Sequence, residues 1–314
     1  MKIFVGLTDY DWFKLHAQKP QVEEVNFWRP SPTATFKVLG PGDPFLFKLH
    51  APRNFIAGGG FYTKFVQMPV SLAWEAFGEG NGARSLEEVK RRISRYRRQP
   101  IGPFDDPTIG CILLCEPFFF EERDWIPVPQ DFSLNIVQGK SYDVSTEAGM
   151  GLWQRIGERL EQQQASVIGA GPATIAAAEN ARYGKPVTIH PRLGQGAFRL
   201  LITDAYNRRC AMTAEKTLPV LEAAHIRPYS LGGEHELSNG LLLRSDLHKL
   251  FDLGYVTVDP DDHKIVVSKR IREEYENGRH YYALHGNAIA TPIGSYSIPS
   301  QENLRYHSEQ IFRG

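Results

Sequence analysis

VLEAAHIRPYSLGGEHELSNGLLLRSDLHKLFDLG, residues 220–254, decides how this chain is read. Four polar residues recur in it as H-x13-N-x8-H-x3-D, at His225, Asn239, His248 and Asp252. His225 follows an apolar run and precedes Pro228 and Gly232-Gly233, which places it at the end of a strand entering a loop. From Arg244 the apolar spacing turns helical through Leu247, Leu250 and Phe251, and Gly254 is a natural stop. On that helix His248 and Asp252 stand at i and i+4, so both side chains can reach one cation.

An imidazole and a carboxylate suit Mg2+, Mn2+, Co2+, Ni2+ or Zn2+. A hairpin brings His225 opposite the helix, free to deprotonate a water. The Asn239 amide can tie backbone groups across the intervening loop. A base, a Lewis acid and a loop-setting amide are the parts required for metal-assisted phosphodiester hydrolysis. Each residue alone has an ordinary reading: a strand-end histidine is commonly packed or capped, and H-x3-D on a helix is commonly a surface pair. The four together, with glycine turns where loops are required, outweigh those readings.

AAHI, SNGLLLR and DLHKLFD resemble the HNH endonucleases over roughly residues 192–258. The resemblance implies a ββα-metal hairpin in which His225 is the general base, Asn239 shapes the loop and His248 binds a divalent metal, Mg2+ or Mn2+ first, with Ni2+, Co2+ or Zn2+ as alternatives. Asp252 lies where colicin-type members carry a further histidine ligand. One departure concerns the residue before the base, where many members place Asp or His and this chain has Ala224. Substrate phosphate, waters or Glu222 would then complete the shell.

The whole chain bounds this reading. Its 314 residues allow two domains, and 42% hydrophobic with 23% charged residues is ordinary globular composition. No apolar run approaches a membrane span, and MKIFVGLTDYDW is too polar for a signal peptide; the expectation is a cytoplasmic protein with no membrane partner. Cys111, Cys115 and Cys210 make no disulfide framework. With 36 basic and 36 acidic residues, nucleic-acid binding depends on where charge gathers.

Residues 1–145 read as β-rich, with strand candidates at MKIFVGL, PFLFKLHA, NFIAGGGFY and IGCILLCEPFFF between Pro and Gly turns. Ser85 and Glu88 open a helix whose apolar side is Leu86, Val89 and Ile93, and whose other side offers Lys90, Arg91 and Arg95 to phosphates. FVGLTDYDWF, Asn26-Phe27-Trp28-Arg29-Pro30, PGDPFLFKLHAPRNFIAGGGFY and AWEAFGEGNGA resemble the PUA-like superfamily (EVE, YTH, ASCH and SRA-like domains) over roughly 1–142. That resemblance implies a small barrel with inserted helices that holds a single, often modified, base between aromatic walls. Trp12, Trp28 and Tyr62 are the candidate walls; Asp11, Asn26 and Arg29 are the candidate edge or phosphate contacts.

Residues 146–190 read as a helical connector. Within it, Val167-Ile-Gly-Ala-Gly171 imitates a dinucleotide fingerprint but lacks the preceding strand, and Pro172 begins a second short helix. From 191 to 314 the chain reads as the nuclease domain with a C-terminal extension, a helix over 195–206 leading to Arg208 and Arg209; with Arg199 these are candidate phosphate contacts. The expected fold class is α+β: a PUA-like β-barrel with inserted helices, a helical connector and a ββα-metal nuclease domain. The expected function is cleavage of double-stranded DNA chosen by a modified base, as in modification-dependent restriction, by a homodimer. The alternatives left open are a nuclease acting on RNA and a non-catalytic binding protein with a decayed site.

Overall fold

The computed structural model describes residues 1–19, 22–32, 35–133, 135–166 and 192–314. The glycine fingerprint at 167–171 and the helix expected after it lie outside the described residues. Contacts divide the chain into two compact units, Met1–Gly194 and Gln195–Gly314, and the architecture is mixed α+β.

The first unit is built on one sheet. Its strands are β1 (Lys2–Thr8), β2 (Glu24–Arg29), β3 (Pro44–Leu49), β4 (Phe55–Pro69), β5 (Thr108–Phe119), β6 (Ile126–Pro127) and β7 (Gly139–Asp143). They run in the order β2-β5-β4-β3-β1-β7, with β6 on β4; β1 and β3 are parallel and the other pairs antiparallel. The register of β4 on β5 shifts at Gly59/Phe61 and again at Tyr62/Lys64, and such bulges bend and twist a strand. The sheet curls until its edges meet through side chains: Arg29, ending β2, donates to Gln138, one residue before β7. Gly58 is required where β4 and β5 approach closely, since a Cβ there would stand 2.2 Å from the Phe118 carbonyl oxygen.

Helices α1 (Tyr10–Ala17), α2 (Val70–Phe77), α3 (Leu86–Arg97) and α4 (Glu147–Ser166) complete this unit. α3 starts as its sequence dictates: the Ser85 hydroxyl accepts from the Glu88 amide at 3.2 Å, and Glu88 accepts from the Arg84 amide at 2.9 Å. Val89 and Ile93 are buried as the spacing required. On one side of the sheet, α4 places Leu152, Trp153, Ile156 and Leu160 against Ile3, Val5, Phe61 and Phe118; this first half of the expected connector is core of the first unit. A second cluster gathers Trp12, Phe13, Phe36, Phe45, Phe47 and Tyr62. The three cysteines are buried free thiols.

The second unit opens with α5 (Gln195–Ala205), followed by the hairpin β8 (Leu221–His225) and β9 (Gly240–Arg244), then α6 (Ser245–Asp252). The pair β10 (Val256–Val258) and β11 (Ile265–Val267) follows, with short helices α7 (Arg270–Tyr275), α8 (Arg279–Tyr282) and α9 (Gln301–Tyr306). One core joins them: Phe198 and Ile202 of α5, Leu241–Leu243 of β9, Leu247 and Phe251 of α6, and Val256 of β10. The inward face of α6 is therefore the one its leucine and phenylalanine spacing announces, and His248 and Asp252 are left outward.

His307, just after α9, holds Phe251 from behind. Its ring stacks on the phenyl at 3.7 Å; Nε2–H donates to the Phe251 carbonyl at 3.1 Å, and Nδ1 accepts from the Thr257 hydroxyl at 2.8 Å. Burial pushes its pKa down to about 4, against 6.5 for an ordinary histidine. Between these values the unfolded chain binds the proton and the folded one does not, so stability is present above about 6.5 and is lost as pH falls toward 4. Acidification from pH 7 to 5 should cost the second unit about 2 kcal/mol at this residue. Amide exchange at Val256–Val258, corrected for intrinsic rates, should show that loss, and His307→Gln should remove this residue's share of it while leaving the like share of His225.

Candidate active site

The β8–β9 hairpin is closed by one amide. Asn239 is 1% exposed; its Oδ1 accepts from the Arg227 amide at 2.8 Å, and its Nδ2 donates to the carbonyls of Arg227 and Glu234, both at 3.0 Å. Both ends of the 226–238 loop are thus stitched to one side chain, the role the spacing assigned to it. Gly233 must be glycine for the same closeness, because a Cβ there would meet the Arg227 carbonyl oxygen at 1.9 Å.

His225 ends β8 with its ring stacked on Phe198 of α5, 4.2 Å between centroids and 12° between planes. Its Nε2 lies 2.9 Å from Nδ1 of His235, which itself stacks on Tyr229 at 4.6 Å. Burial first, then the neighbouring His235 and His248, push its pKa down to about 4. The ring is therefore a neutral imidazole, with one N–H and one lone pair, at neutral pH.

α6 is anchored at its start by Arg244, whose guanidinium meets Asp246 through Nε at 2.6 Å and Nη2 at 2.8 Å. One turn on, His248 reaches back to β8: Nδ1 lies 2.6 Å from Glu222 Oε2, and Nε2 lies 3.4 Å from Asp252 Oδ2. These three residues, with Ser245, Asp246, Lys249 and Leu253, line an open cleft of about 650 Å³. Burial raises the Asp252 pKa, His248 opposes the rise, and Glu222 adds to it. Ala224 is fully buried in the core, so the residue before His225 supplies no donor.

Among the described residues, no group of three or more His, Cys, Asp or Glu is assembled as a metal shell. The donor chemistry nevertheless fits a divalent ion. With Nδ1–H given to Glu222, His248 keeps Nε2 free beside Asp252, and two donors 3.4 Å apart can share one ion at about 2.1 Å from each. Glu222 is then the carboxylate that fixes the ring rather than a ligand.

The other expected contacts are distributed as follows. Arg209 is exposed beyond the end of α5, and Arg199 and Arg208 are half-buried. On α3, Arg91 and Arg95 are exposed, while the Lys90 ammonium donates to the Pro103 carbonyl at 3.0 Å. Arg92 and Arg97 serve the fold instead, donating to the carbonyls of Gly82, Pro30 and Thr108.

The six base-pocket candidates do not gather round one point. Trp12 and Tyr62 belong to the aromatic cluster with Phe27 and Phe47. Strand alternation turns Asn26 and Trp28 to the other face of β2, where Asn26 Nδ2 donates to Asn81 Oδ1 and the Trp28 indole to the Asn81 carbonyl, both at 2.9 Å. Asp11 faces solvent on α1, and Arg29 is taken up by Gln138.

Two groups escaped the sequence reading. His235 follows no ligand spacing in the chain and is found only through its bond to His225. His16 is fully buried in the first unit, edge-on to Trp12 and stacked with Phe119, with no hydrogen-bond partner at either ring nitrogen; helical spacing from Trp12 was the signal available.

Residues 210–259 match the HNH endonuclease family (HNH_2). This segment is an HNH endonuclease domain. It begins at Cys210, before β8, and ends just after β10, so it spans the hairpin, the asparagine clamp and the helix bearing His248. No curated protein matches the chain. Among solved structures, the Zymomonas mobilis ZmASCH Y47F mutant aligns at 11% identity and a TM-score of 0.31, covering 54% of this chain and 100% of its own. A modification-dependent TagI restriction endonuclease aligns at 14% identity and a TM-score of 0.26, covering 93% of this chain and 77% of its own. Alignments at these TM-scores do not define a shared fold.

Replacing Asn239 by Ala removes the three part-buried hydrogen bonds that tie Arg227 and Glu234 of the loop to one side chain. The HNH domain should lose about 2–4 kcal/mol, read as a lower denaturation midpoint, with cleavage falling as the loop carrying His235 loosens.

Proposed function

We propose that the protein is a metal-dependent DNA endonuclease, directed to modified bases by its N-terminal unit. What supports the nuclease half is that, inside one HNH domain, β8 carries both His225, a neutral imidazole, and Glu222, which holds His248 of the helix beside Asp252 in an open cleft. His225 takes a proton from water; the oxygen forms a bond to phosphorus, and the P–O bond to the leaving 3′ oxygen breaks with its electron pair. Arg199, Arg208 and Arg209 hold flanking phosphates. His248 and Asp252 would hold the divalent cation, Mg2+ or Mn2+, which supplies charge neutralisation at the phosphate and leaving oxygen.

The base-reading half is supported by the density of aromatic side chains in the first unit and by His16. A flipped base recovers lost stacking between rings and offers donors and acceptors at its edge. A neutral imidazole with both nitrogens unpartnered is the complementary group, and burial keeps the His16 pKa at about 3. Arg91 and Arg95 would follow the backbone. One such active site cuts one strand, so double-strand cleavage calls for a homodimer.

Three measurements bear on this. His225→Ala should abolish cutting while DNA binding persists in a gel-shift assay; undiminished cleavage would overturn the assignment. Chelation of divalent ions should stop cleavage, and added Mg2+ or Mn2+ should restore it. A panel of plasmids carrying different base modifications, beside unmodified DNA and structured RNA, should show preference for one modified plasmid. Equal cutting of all DNAs would remove the reading role, and faster cutting of RNA would replace the substrate.

A further inference from the structure

We infer that His235 is the positioning residue for the base: it accepts the Nε2–H of His225 and thereby leaves Nδ1 as the atom that takes the proton from water. This rests on the nuclease reading and adds a residue outside the four-point motif.

The argument is one of tautomers. A neutral imidazole has one N–H and one lone pair, and only the lone pair can act as a base. Nε2 of His225 is engaged, 2.9 Å from Nδ1 of His235. If His235 donated in that bond, the only lone pair of His225 would be consumed and Nδ1–H would face the water. If His225 donates, its Nδ1 lone pair is free, and His235 carries its own proton on Nε2. Only the second arrangement gives a base.

The surroundings hold this arrangement in place. Phe198 stacks on His225 and Tyr229 on His235, so neither ring can swing without losing a face contact. The two rings stand 57° apart with centroids 5.0 Å from one another, which aims nitrogen at nitrogen rather than ring at ring. The Asn239 amide that closes the hairpin donates to the carbonyl of Glu234, the residue before His235. One asparagine therefore sets the loop and, through it, the partner of the base.

The test separates this role from folding and from the nuclease reading itself. In full-length protein labelled with 15N-histidine, His225, assigned by comparison with the His225→Ala variant, should carry its proton on Nε2 without any substrate present. His235→Ala should make the His225 tautomers mix and lower kcat about 10- to 100-fold with KM within about twofold. His235→Asn, whose Oδ1 stands where the histidine Nδ1 stood, should recover most of that loss, which a merely structural role would not predict. Unchanged kcat in His235→Ala, or an Nδ1–H tautomer for His225 in the wild-type protein, would overturn the proposal. If His225→Ala still cuts, the base assignment fails instead. If His225→Ala is dead while His235→Ala is fully active, only the positioning role is lost.

Discussion

A single carboxamide closes the loop on which the catalytic half of this protein depends. Asn239 satisfies an amide and a carbonyl of Arg227 and the carbonyl of Glu234, and no other residue type offers a flat acceptor and two donors at that reach. Glutamine has the groups but a longer stem; aspartate lacks the donors. Because strand β8 ends at His225 and strand β9 begins at Gly240, fixing Arg227 to Asn239 fixes the exit of one strand to the entry of the next. Everything the hairpin presents, His225 and its neighbouring histidine included, inherits its place from that bond set.

The second constraint is electrostatic. On the hairpin side, burial first and then two imidazoles keep His225 a neutral ring. On the helix side, two carboxylates flank His248, and Asp252 is driven toward its neutral form by desolvation. The hairpin thus offers a neutral imidazole and the helix a histidine flanked by carboxylates. The first is suited to receiving a proton and the second to receiving a cation, which is the division of labour that hydrolysis of a phosphodiester requires. Ala224, packed in the core, adds no donor to either side.

How much of this was legible varied with the physics involved. The α6 helix was readable because Leu247 and Phe251 are spaced to bury one face, and the hairpin was readable because glycines mark turns that only they can make. α3 was readable from Ser85 and Glu88, whose side chains cap amides locally. The aromatic candidates were harder. Trp12 and Tyr62 lie in one cluster, but Asn26 and Trp28 face the other side of β2, because alternation along a strand separates neighbours that a motif list groups together. Residue type cannot reveal which arginines are spent on the fold: Arg92 and Arg97 look the same in sequence as Arg91 and Arg95, yet carbonyl acceptors claim the first two. His235 was invisible because its meaning lies in a contact ten residues back across a loop whose path sequence does not specify.

The buried thiols have a use of their own. Cys111 and Cys115 sit in β5 with their pKa values pushed up to about 12 by burial, and Cys210 is sealed in the other unit at the first residue of the HNH segment. A thiol with no solvent access reacts with an alkylating reagent only when its surroundings open. Each unit therefore carries a native chemical clock for its own breathing, readable by mass without introducing a label.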